Sequence, residues 1–325
     1  MHIIAAPDKY KGTATAAEIA GAIARAAAEV GHTCREVPLA DGGDGTLEAL
    51  GGANRESTVT GPLGDPVKAQ WRLDAGLAVI EMARTSGLVL AGGAEGNDPL
   101  AASTVGVGEL IAEAVDNGAK KIVVGVGGSA TTDGGLGAIE AIGSPEQLRG
   151  IDVVVACDVR THFTDAAAVF GPQKGASSAQ VAMLTNRLNA LVDSYKGRFG
   201  VDVSGLERAG AAGGLAGGLA ALGARLEDGF QIVADQAGLS DALEAADLVI
   251  TGEGFIDNES FDGKVVGGVT QLANAHDVSV LAIAGDVFDG VDGRVEAISL
   301  TEEFGRDRAM EAPATCVYEA LLARW

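Results

Sequence analysis

The stretch that decides the fold is KKIVVGVGGSATTDGGLGAIEAI, residues 120–142. Its first part, residues 121–126, is a short apolar run of the kind that forms a buried strand. A glycine-rich loop follows at residues 127–135, and apolar residues then recur at helical spacing from Leu136 onward. A strand, a loop and a helix in this order form the repeating unit of α/β folds with parallel sheets.

The glycine-rich loop is suited to holding phosphate. Glycine lets backbone N–H groups approach an anion without a Cβ in the way, and hydroxyl side chains lie between the glycines. The residues expected to surround phosphoryl oxygens are Gly127 and Gly128, together with the hydroxyls of Ser129, Thr131 and Thr132. Asp133 is expected to hold a magnesium ion that bridges those oxygens. The alternative is an ordinary turn in which Asp133 or Thr132 is the N-cap of the following helix.

Strands and helices alternate at both ends of the chain as well. Strands are predicted at residues 2–6, 34–39, 121–126, 152–156, 247–251, 278–284 and 295–300, with helices starting after Thr15 and at 104–117 and 178–195. In the middle, residues 67–73 and 77–83 flank a tight turn, which indicates antiparallel strands. We therefore predict an α/β protein with two domains. Residues 1–60 plus 235–325 form a parallel-sheet domain, and residues 61–234 form an inserted α/β domain with a mixed sheet.

The charge balance limits the kinds of partner. The 23 basic residues against 45 acidic ones give a net charge of −22. Such a field repels nucleic acids and anionic membranes, so we exclude both as principal partners. Three cysteines without CxxC spacing fit a reducing compartment. Together with a first segment unlike a signal peptide, they predict a cytoplasmic location, while the oligomeric state stays open.

Lysines and carboxylates are concentrated in the loops that follow predicted strands. Four of the eight lysines lie there, namely Lys9, Lys11, Lys174 and Lys264. In so acidic a chain this placement indicates neutralisation of a phosphate or of a substrate carboxylate. Phosphoryl transfer also uses carboxylates, to hold magnesium and to accept a proton from the attacking hydroxyl. The candidates are Asp8, Asp41, Asp44, Asp133, Asp158, Glu253 and Asp257.

A dinucleotide-binding site is a second interpretation of the glycine loop. Gly125, Gly127 and Ala130 match the pattern GxGxxA loosely. The ribose-binding acid of that motif is expected about 20 residues further on, whereas Asp158 lies 31 residues beyond Gly127. The chain also lacks the Walker A pattern GxxxxGK[ST], so an ATP site here is of another type.

Seven ordered blocks along nearly the whole chain resemble the bacterial glycerate kinase family. They are APDKYKG at 6–12, ADGGDGT at 40–46, GGSATTDGG at 127–135, ACDV at 156–159, VFGPQKGA at 169–176, GAAGGL at 210–215, and DLVITGEG with the following ID and GK at 247–264. Lys9 and Asp44 depart from the serine and glutamate usual in the family. The loops at 143–151 and after Asp158 are shorter than usual.

The resemblance implies ATP-dependent phosphorylation of glycerate with magnesium, by a flavodoxin-like domain into which a second α/β domain is inserted. Bacterial members typically phosphorylate the 2-hydroxyl, so 2-phosphoglycerate is the expected product. Phosphorylation of the 3-hydroxyl, or of a related small hydroxy acid, stays open. A dinucleotide-dependent oxidoreductase is the alternative from a different class, and a non-catalytic sensor with the same pockets is a third.

We expect the reaction to take place at an interdomain cleft. The expected substrate-binding residues are Asp8, Lys11, Asp41, Gly42, Gly43 and Asp44. The expected nucleotide-binding residues are Gly127, Gly128, Ser129, Thr131, Glu253 and Lys264. Asp158 ends the strand after the glycine loop and is the expected base, while Lys174 is expected to stabilise charge on the transferred phosphoryl group.

Overall fold

The computed structural model describes residues 1–261, 263–291 and 293–325. Asp262, which precedes Gly263 and Lys264 in one of the predicted loops, lies outside the described residues. The strands are β1 His2–Ala5, β2 Thr33–Glu36, β3 Arg55–Thr60, β4 Pro66–Asp74, β5 Leu77–Glu81, β6 Lys121–Gly125, β7 Asp152–Cys157, β8 Arg225–Asp228, β9 Leu248–Ile256, β10 Ser279–Val287 and β11 Glu296–Ser299.

The helices vary from a single turn to the long α8. They are α1 Ala16–Glu29, α2 Thr46–Ala49, α3 Ala83–Ser86, α4 Gly93–Gly96, α5 Val105–Asp116, α6 Leu136–Ile142, α7 Ala166–Phe170, α8 Ser178–Phe199, α9 Leu215–Ala221, α10 Gly229–Ala237, α11 Leu239–Leu243, α12 Val265–Ala275, α13 Leu300–Phe304, α14 Arg306–Glu311 and α15 Pro313–Leu322. Within the described ranges, none of them has both the length and the apolar character needed to span a membrane.

The chain divides into two compact units. Unit 1 comprises Met1–Asp41, Glu48–Leu50 and Phe230–Trp325, and unit 2 comprises Gly42–Leu47 and Gly51–Gly229. The expected first boundary, residue 60, lies later in the chain than this division. The difference arises because β3, which was not predicted, pairs with β4 in the sheet of unit 2.

Unit 1 is built on a parallel sheet with the strand order β11-β10-β9-β1-β2. Every neighbouring pair in this sheet is parallel. Numbered within the unit, the order is 2-1-3-4-5, which is that of flavodoxin-like folds. Successive side chains of a strand point to opposite faces, so Ile3 packs against α1 and α15 while Ile4 packs against α10 and α12. Helices therefore cover both faces of the sheet.

Unit 2 contains a mixed sheet with the order β3-β4-β5-β6-β7-β8. The pairs β3–β4 and β4–β5 are antiparallel, and the pairs from β5 to β8 are parallel. Trp71 is fully buried at the antiparallel side, where its indole N–H donates to Ser57 Oγ at 2.9 Å. Helices α5, α6, α8 and α9 contribute many of the apolar side chains of this core. The predicted fold class, a parallel-sheet domain with an inserted α/β domain of mixed sheet, is confirmed.

Local sequence signals account for the first helix. Thr15 accepts the N–H of Glu18 while the Glu18 carboxylate accepts the N–H of Thr15, so the predicted capping box is present. Ile19 and Ile23, one turn apart, then place their side chains in the core of unit 1. The cap fixes the first residue of α1, and the apolar spacing fixes the face that it buries.

Replacing Thr15 with Ala should lower the free energy of unfolding of unit 1 by about 1 kcal/mol, because the Glu18 N–H loses the side-chain oxygen that caps it. Native-state hydrogen exchange of the α1 peptide in increasing urea measures this loss. Thr15→Ser keeps the hydroxyl and is the matched control, expected within about 0.5 kcal/mol of the wild type. Equal exchange in all three proteins would show that the cap does not stabilise α1.

Candidate functional site

The candidate groups of unit 1 lie at the carboxyl ends of β1 and β9. These strands are neighbours at the point where the strand order reverses, which is where open α/β sheets bind ligands. The N–H of Asp8 donates to the Gly252 carbonyl at 2.8 Å, which holds the loop after β1 beside β9. The Asp8 side chain is buried, with the Lys9 backbone N–H at 2.6 Å and Lys9 Nζ at 3.6 Å from its Oδ1.

Two carboxylates in this region have strongly raised pKa values. Burial raises the pKa of Asp8 to about 7, against the opposing effect of Lys9 and with a further contribution from the charge of Asp41. Burial likewise raises the pKa of Glu253 to about 7, although the hydrogen bond from Ser260 acts in the opposite direction. Carboxylates that titrate near neutral pH are characteristic of functional sites. Raised pKa values are invisible in the sequence because they depend on burial.

Glu253 also carries an unsatisfied atom. Its Oε1 is buried and has no hydrogen-bond partner among the residues that the structure describes. A buried acceptor in this state costs free energy unless a ligand or water donates to it. Nearby in the fold, Lys264 Nζ lies 5.8 Å from the centre of the Phe255 ring, and the Lys11 side chain is exposed. Unit 1 therefore brings together the predicted residues Asp8, Asp41 and Glu253.

The glycine loop of unit 2 follows β6, as predicted. Its Gly128 carbonyl accepts the Leu88 N–H at 2.9 Å, and its Ala130 N–H donates to the Ser86 carbonyl at 2.9 Å. These two bonds anchor the loop to the segment after α3. Within the loop, the side chains of Thr131 and Thr132 are fully buried. Among the described residues, the Thr132 hydroxyl has no hydrogen-bond partner. The Thr132 hydroxyl is one of the three hydroxyls that the sequence predicts around phosphoryl oxygens, but nothing in the sequence indicates that it is left unsatisfied by the described residues.

Gly213 makes a close backbone contact with the glycine loop. Gly213 has φ +67°, and a Cβ at this position would overlap the Thr131 carbonyl oxygen and lie 2.7 Å from the Thr132 Cα. Only glycine fits both the left-handed conformation and the space. This explains why the block GAAGGL at 210–215 accompanies the loop in the sequence.

Asp133 is occupied by hydrogen bonds. Its Oδ2 accepts the N–H and the hydroxyl of Thr104, at 2.9 and 2.8 Å, and the N–H of Gly137 at 3.2 Å. Its Oδ1 accepts the N–H of Gly135 at 3.0 Å. Ser103 Oγ lies 3.5 Å from the same Oδ2. A carboxylate oxygen offers about two lone-pair positions, so Oδ2 is saturated while Oδ1 accepts a single bond. In the described part of the chain, no three His, Cys, Asp or Glu side chains are arranged to hold a metal ion. The role of Asp133 as a magnesium ligand stays a prediction, with Oδ1 as the oxygen that accepts a single hydrogen bond from the described residues.

Lys174 is buried below the loop, with only 2% of its surface exposed. Its Nζ donates to the Thr131 carbonyl at 2.7 Å. Burial lowers the pKa of Lys174 to about 7, while the charge of Asp133 acts to raise it. Asn97 Nδ2 bonds the carbonyls of Lys174 and Ala130, at 2.9 and 3.0 Å. The Lys174 ammonium group thus bonds the backbone of the glycine loop, a contact that the sequence could not indicate.

The loop with the sequence DGGDGT belongs to unit 2 from Gly42 onward. Val126 donates its N–H to the Gly42 carbonyl at 3.2 Å, and a Cβ on Gly127 would lie 2.7 Å from the Gly43 Cα. The loop and the start of the glycine loop therefore pack backbone against backbone. The Asp44 side chain is exposed, whereas Gly42 and Gly43 are buried. Unit 2 brings this loop next to the phosphate-loop candidates.

Asp158 directly follows β7 and its side chain is exposed. The preceding Cys157 carbonyl accepts a bond from Arg208 at 3.1 Å, and the same guanidinium bonds the Asp228 carboxylate at 3.1 Å. Arg208 thereby ties the end of β7 to the end of β8. Asp158 thus has the strand-end position that the sequence predicted.

Known proteins are similar to this chain over most of its length. The model of the glycerate kinase family matches residues 3–146 and 143–316. The glycerate 2-kinase of Escherichia coli (strain K12) is 41% identical over 331 residues, covering 90% of this chain and 87% of the relative. The glycerate kinase of Bacillus subtilis (strain 168) is 39% identical and covers 88% and 85% of the two chains.

A solved structure extends the similarity to the whole fold. A Salmonella typhimurium LT2 protein, provisionally named glycerate kinase 2, superposes with a TM-score of 0.85 at 35% sequence identity. The match covers 100% of this chain and 98% of the other. The chain belongs to the glycerate kinase family of phosphotransferases.

Proposed function

We propose that the protein phosphorylates D-glycerate with ATP and forms 2-phosphoglycerate. The observation that carries the proposal is the extensive similarity to a relative named glycerate 2-kinase. The buried carboxylates of unit 1, with pKa values near 7, support it because phosphorylation of an alcohol requires a group that accepts the hydroxyl proton.

The glycine loop of unit 2 is the proposed contact for the ATP phosphates. The ATP phosphates are proposed to bind to Gly127, Gly128, Ser129 and Thr131. The unsatisfied hydroxyl of Thr132 supports the assignment, since a buried hydroxyl gains most from a ligand that bonds to it. ATP supplies the phosphoryl group, and the loop binds and orients it.

Magnesium is proposed as the companion of ATP, as is usual for phosphoryl transfer. Asp133 is proposed to contact the ion through Oδ1, while the bonds to its Oδ2 hold the loop in shape. Such ions are held by one or two carboxylates together with substrate phosphates.

Glycerate binding, nucleotide binding and proton transfer are proposed for the other candidate residues. The exposed ammonium of Lys11 and the loop of Asp41, Gly42, Gly43 and Asp44 are proposed to bind glycerate, and Glu253 and Lys264 to bind the nucleotide. Two carboxylates are candidates for the base. Asp158 is exposed at a strand end, while the Asp8 carboxyl has a pKa of about 7, which is close to the value that suits proton transfer at neutral pH.

A coupled assay of ADP release with D-glycerate, ATP and magnesium tests the activity. We expect turnover with glycerate and much less with lactate, tartrate or erythronate, because the family relationship points to glycerate. Phosphorus NMR of the product should show the phosphate on the 2-position. Phosphate on the 3-position would replace the 2-kinase assignment. Absence of ADP release together with NAD retained on purification would favour the oxidoreductase.

Asp8→Asn and Asp158→Asn should separate the two candidate bases. The variant that lacks the base should lose about 10²–10⁴-fold in kcat, the usual contribution of general base catalysis. Asp193→Asn, at an exposed position of α8, is the matched control and should retain activity. Turnover close to that of the wild type in both site variants, with their fold intact, would rule out both residues as the base.

The stability of unit 1 should depend on pH through Asp8. Its pKa is raised from 3.8 to about 7, so between these values the folded state keeps a proton that the unfolded state has released. This contribution to the unfolding free energy is complete below pH 4 and is lost as the pH rises through 7. Asp8→Asn should therefore be more stable than the wild type at pH 8 by roughly 2–4 kcal/mol, and similar to it at pH 4. Urea unfolding at both pH values measures the difference, and equal differences would contradict it.

Lys174→Met tests whether this lysine supports the loop or acts on the phosphoryl group. Removing Nζ leaves the buried Thr131 carbonyl without its partner, so the unfolding free energy should fall by about 1–3 kcal/mol as kcat falls. Lys196→Met, which removes an exposed ion pair with Asp202, is the control and should change little. A large loss of kcat with unchanged stability would favour direct charge stabilisation, and normal turnover with unchanged stability would exclude both roles.

A further inference from the structure

Glu81 is a buried carboxylate that has no role in the proposed reaction. It ends β5, and only 2% of its surface is exposed. Its Oε1 accepts the backbone N–H groups of Gly45 and Leu47, both at 2.9 Å. Its Oε2 accepts Nε of Arg84 at 2.8 Å. One carboxylate therefore joins the end of β5, the loop at 42–47 and the start of α3.

The two N–H groups lie where the DGGDGT loop passes into α2. The first N–H groups of a helix lack partners within the helix, and α2 has only the four residues Thr46–Ala49. So short a helix is not stable by itself. Glu81 therefore acts as a cap from a strand that lies more than 30 residues away in the sequence. A bond of 2.7 Å from the Thr46 hydroxyl to the Gly43 carbonyl closes the same turn from within.

The neighbouring contacts make this cap decisive for the loop. Glycines at 42, 43 and 45 leave the loop backbone without side chains that could pack, so its shape depends on bonds to the main chain. On one side, the Gly42 carbonyl is bonded by Val126. On the other side, Glu81 holds Gly45 and Leu47. The exposed Asp44 lies between these two anchor points.

We propose that Glu81 is a positioning residue that fixes the loop of Gly42, Gly43 and Asp44 in the conformation that binds glycerate. This inference rests on the proposed function, because that function makes the loop a substrate contact. Glu81 touches neither substrate nor ATP in this role. Its removal should therefore raise the KM for glycerate far more than the KM for ATP.

Three variants test the proposal. Glu81→Ala removes the acceptor of both N–H groups, and the KM for glycerate should rise about tenfold or more, while the KM for ATP stays within about twofold. Glu81→Gln keeps an Oε1 that can accept both groups and should restore the KM for glycerate to within about threefold. Arg84→Met breaks the ion pair but leaves the cap, and it should resemble Glu81→Gln.

Amide exchange supplies a readout that needs no substrate. The N–H groups of Gly45 and Leu47 should exchange at least about tenfold faster in Glu81→Ala than in the wild type or Glu81→Gln. If Glu81→Ala does not fold, Glu81→Asp serves instead, because it keeps the charge but shortens the side chain by one methylene. It should show the same split between the two KM values.

Equal rises in both KM values, or unchanged exchange of the two N–H groups in the folded variant, would overturn the proposal. So would Glu81→Gln behaving like Glu81→Ala, since the charge and not the cap would then matter. A wild type that does not phosphorylate glycerate would refute the proposed function alone. The exchange rates of Gly45 and Leu47 would still decide whether Glu81 holds the loop.

Discussion

The hydrogen bonds of Asp133 are the interaction on which the site of unit 2 depends. This carboxylate bonds Gly135 and Gly137 at the start of α6 and Thr104 at the start of α5. Thr104 in turn accepts the N–H of Ala138 through its hydroxyl, at 3.0 Å. Two helix starts and the end of the glycine loop are thus held by one side chain. Because four of the nine residues in the loop are glycines, its backbone shape depends on this network.

Unit 1 shows how position in a fold gives ordinary carboxylates unusual chemistry. Asp8 lies in the loop after β1 and Glu253 in the second half of the neighbouring parallel strand β9, where the strand order reverses. Burial there penalises their charged forms and raises their pKa values toward neutrality. Such an arrangement destabilises the folded protein at neutral pH. Because the two buried carboxylates do not stabilise the fold at neutral pH, their burial indicates a role in function.

The sequence predicts those features that arise from local pattern. The capping box of Thr15, the strand–loop–helix unit at 121–142 and the fold class follow from spacing and turn residues. Strand β3, with its exposed and polar residues, gives no such signal, because it is defined by pairing with β4. The residues of the site were identifiable by type, but their partners were not. The sequence presents Asp133 and Lys174 as groups that could face a ligand, and only the tertiary contacts show that both bond the protein's own backbone.

Composition explains why buried charges are used in this way. The chain has 48 glycines and an aromatic content of 4%, so its loops can approach ligands closely but cannot be stiffened by large side chains. Hydrogen bonds from ionised groups to the main chain are the stronger alternative. Lys174 bonds a carbonyl beneath the glycine loop, and Glu81 bonds two N–H groups of the DGGDGT loop. Each of these long side chains lies outside the loop that it bonds. The backbone of the two glycine-rich loops is therefore fixed by tertiary contacts rather than by local sequence.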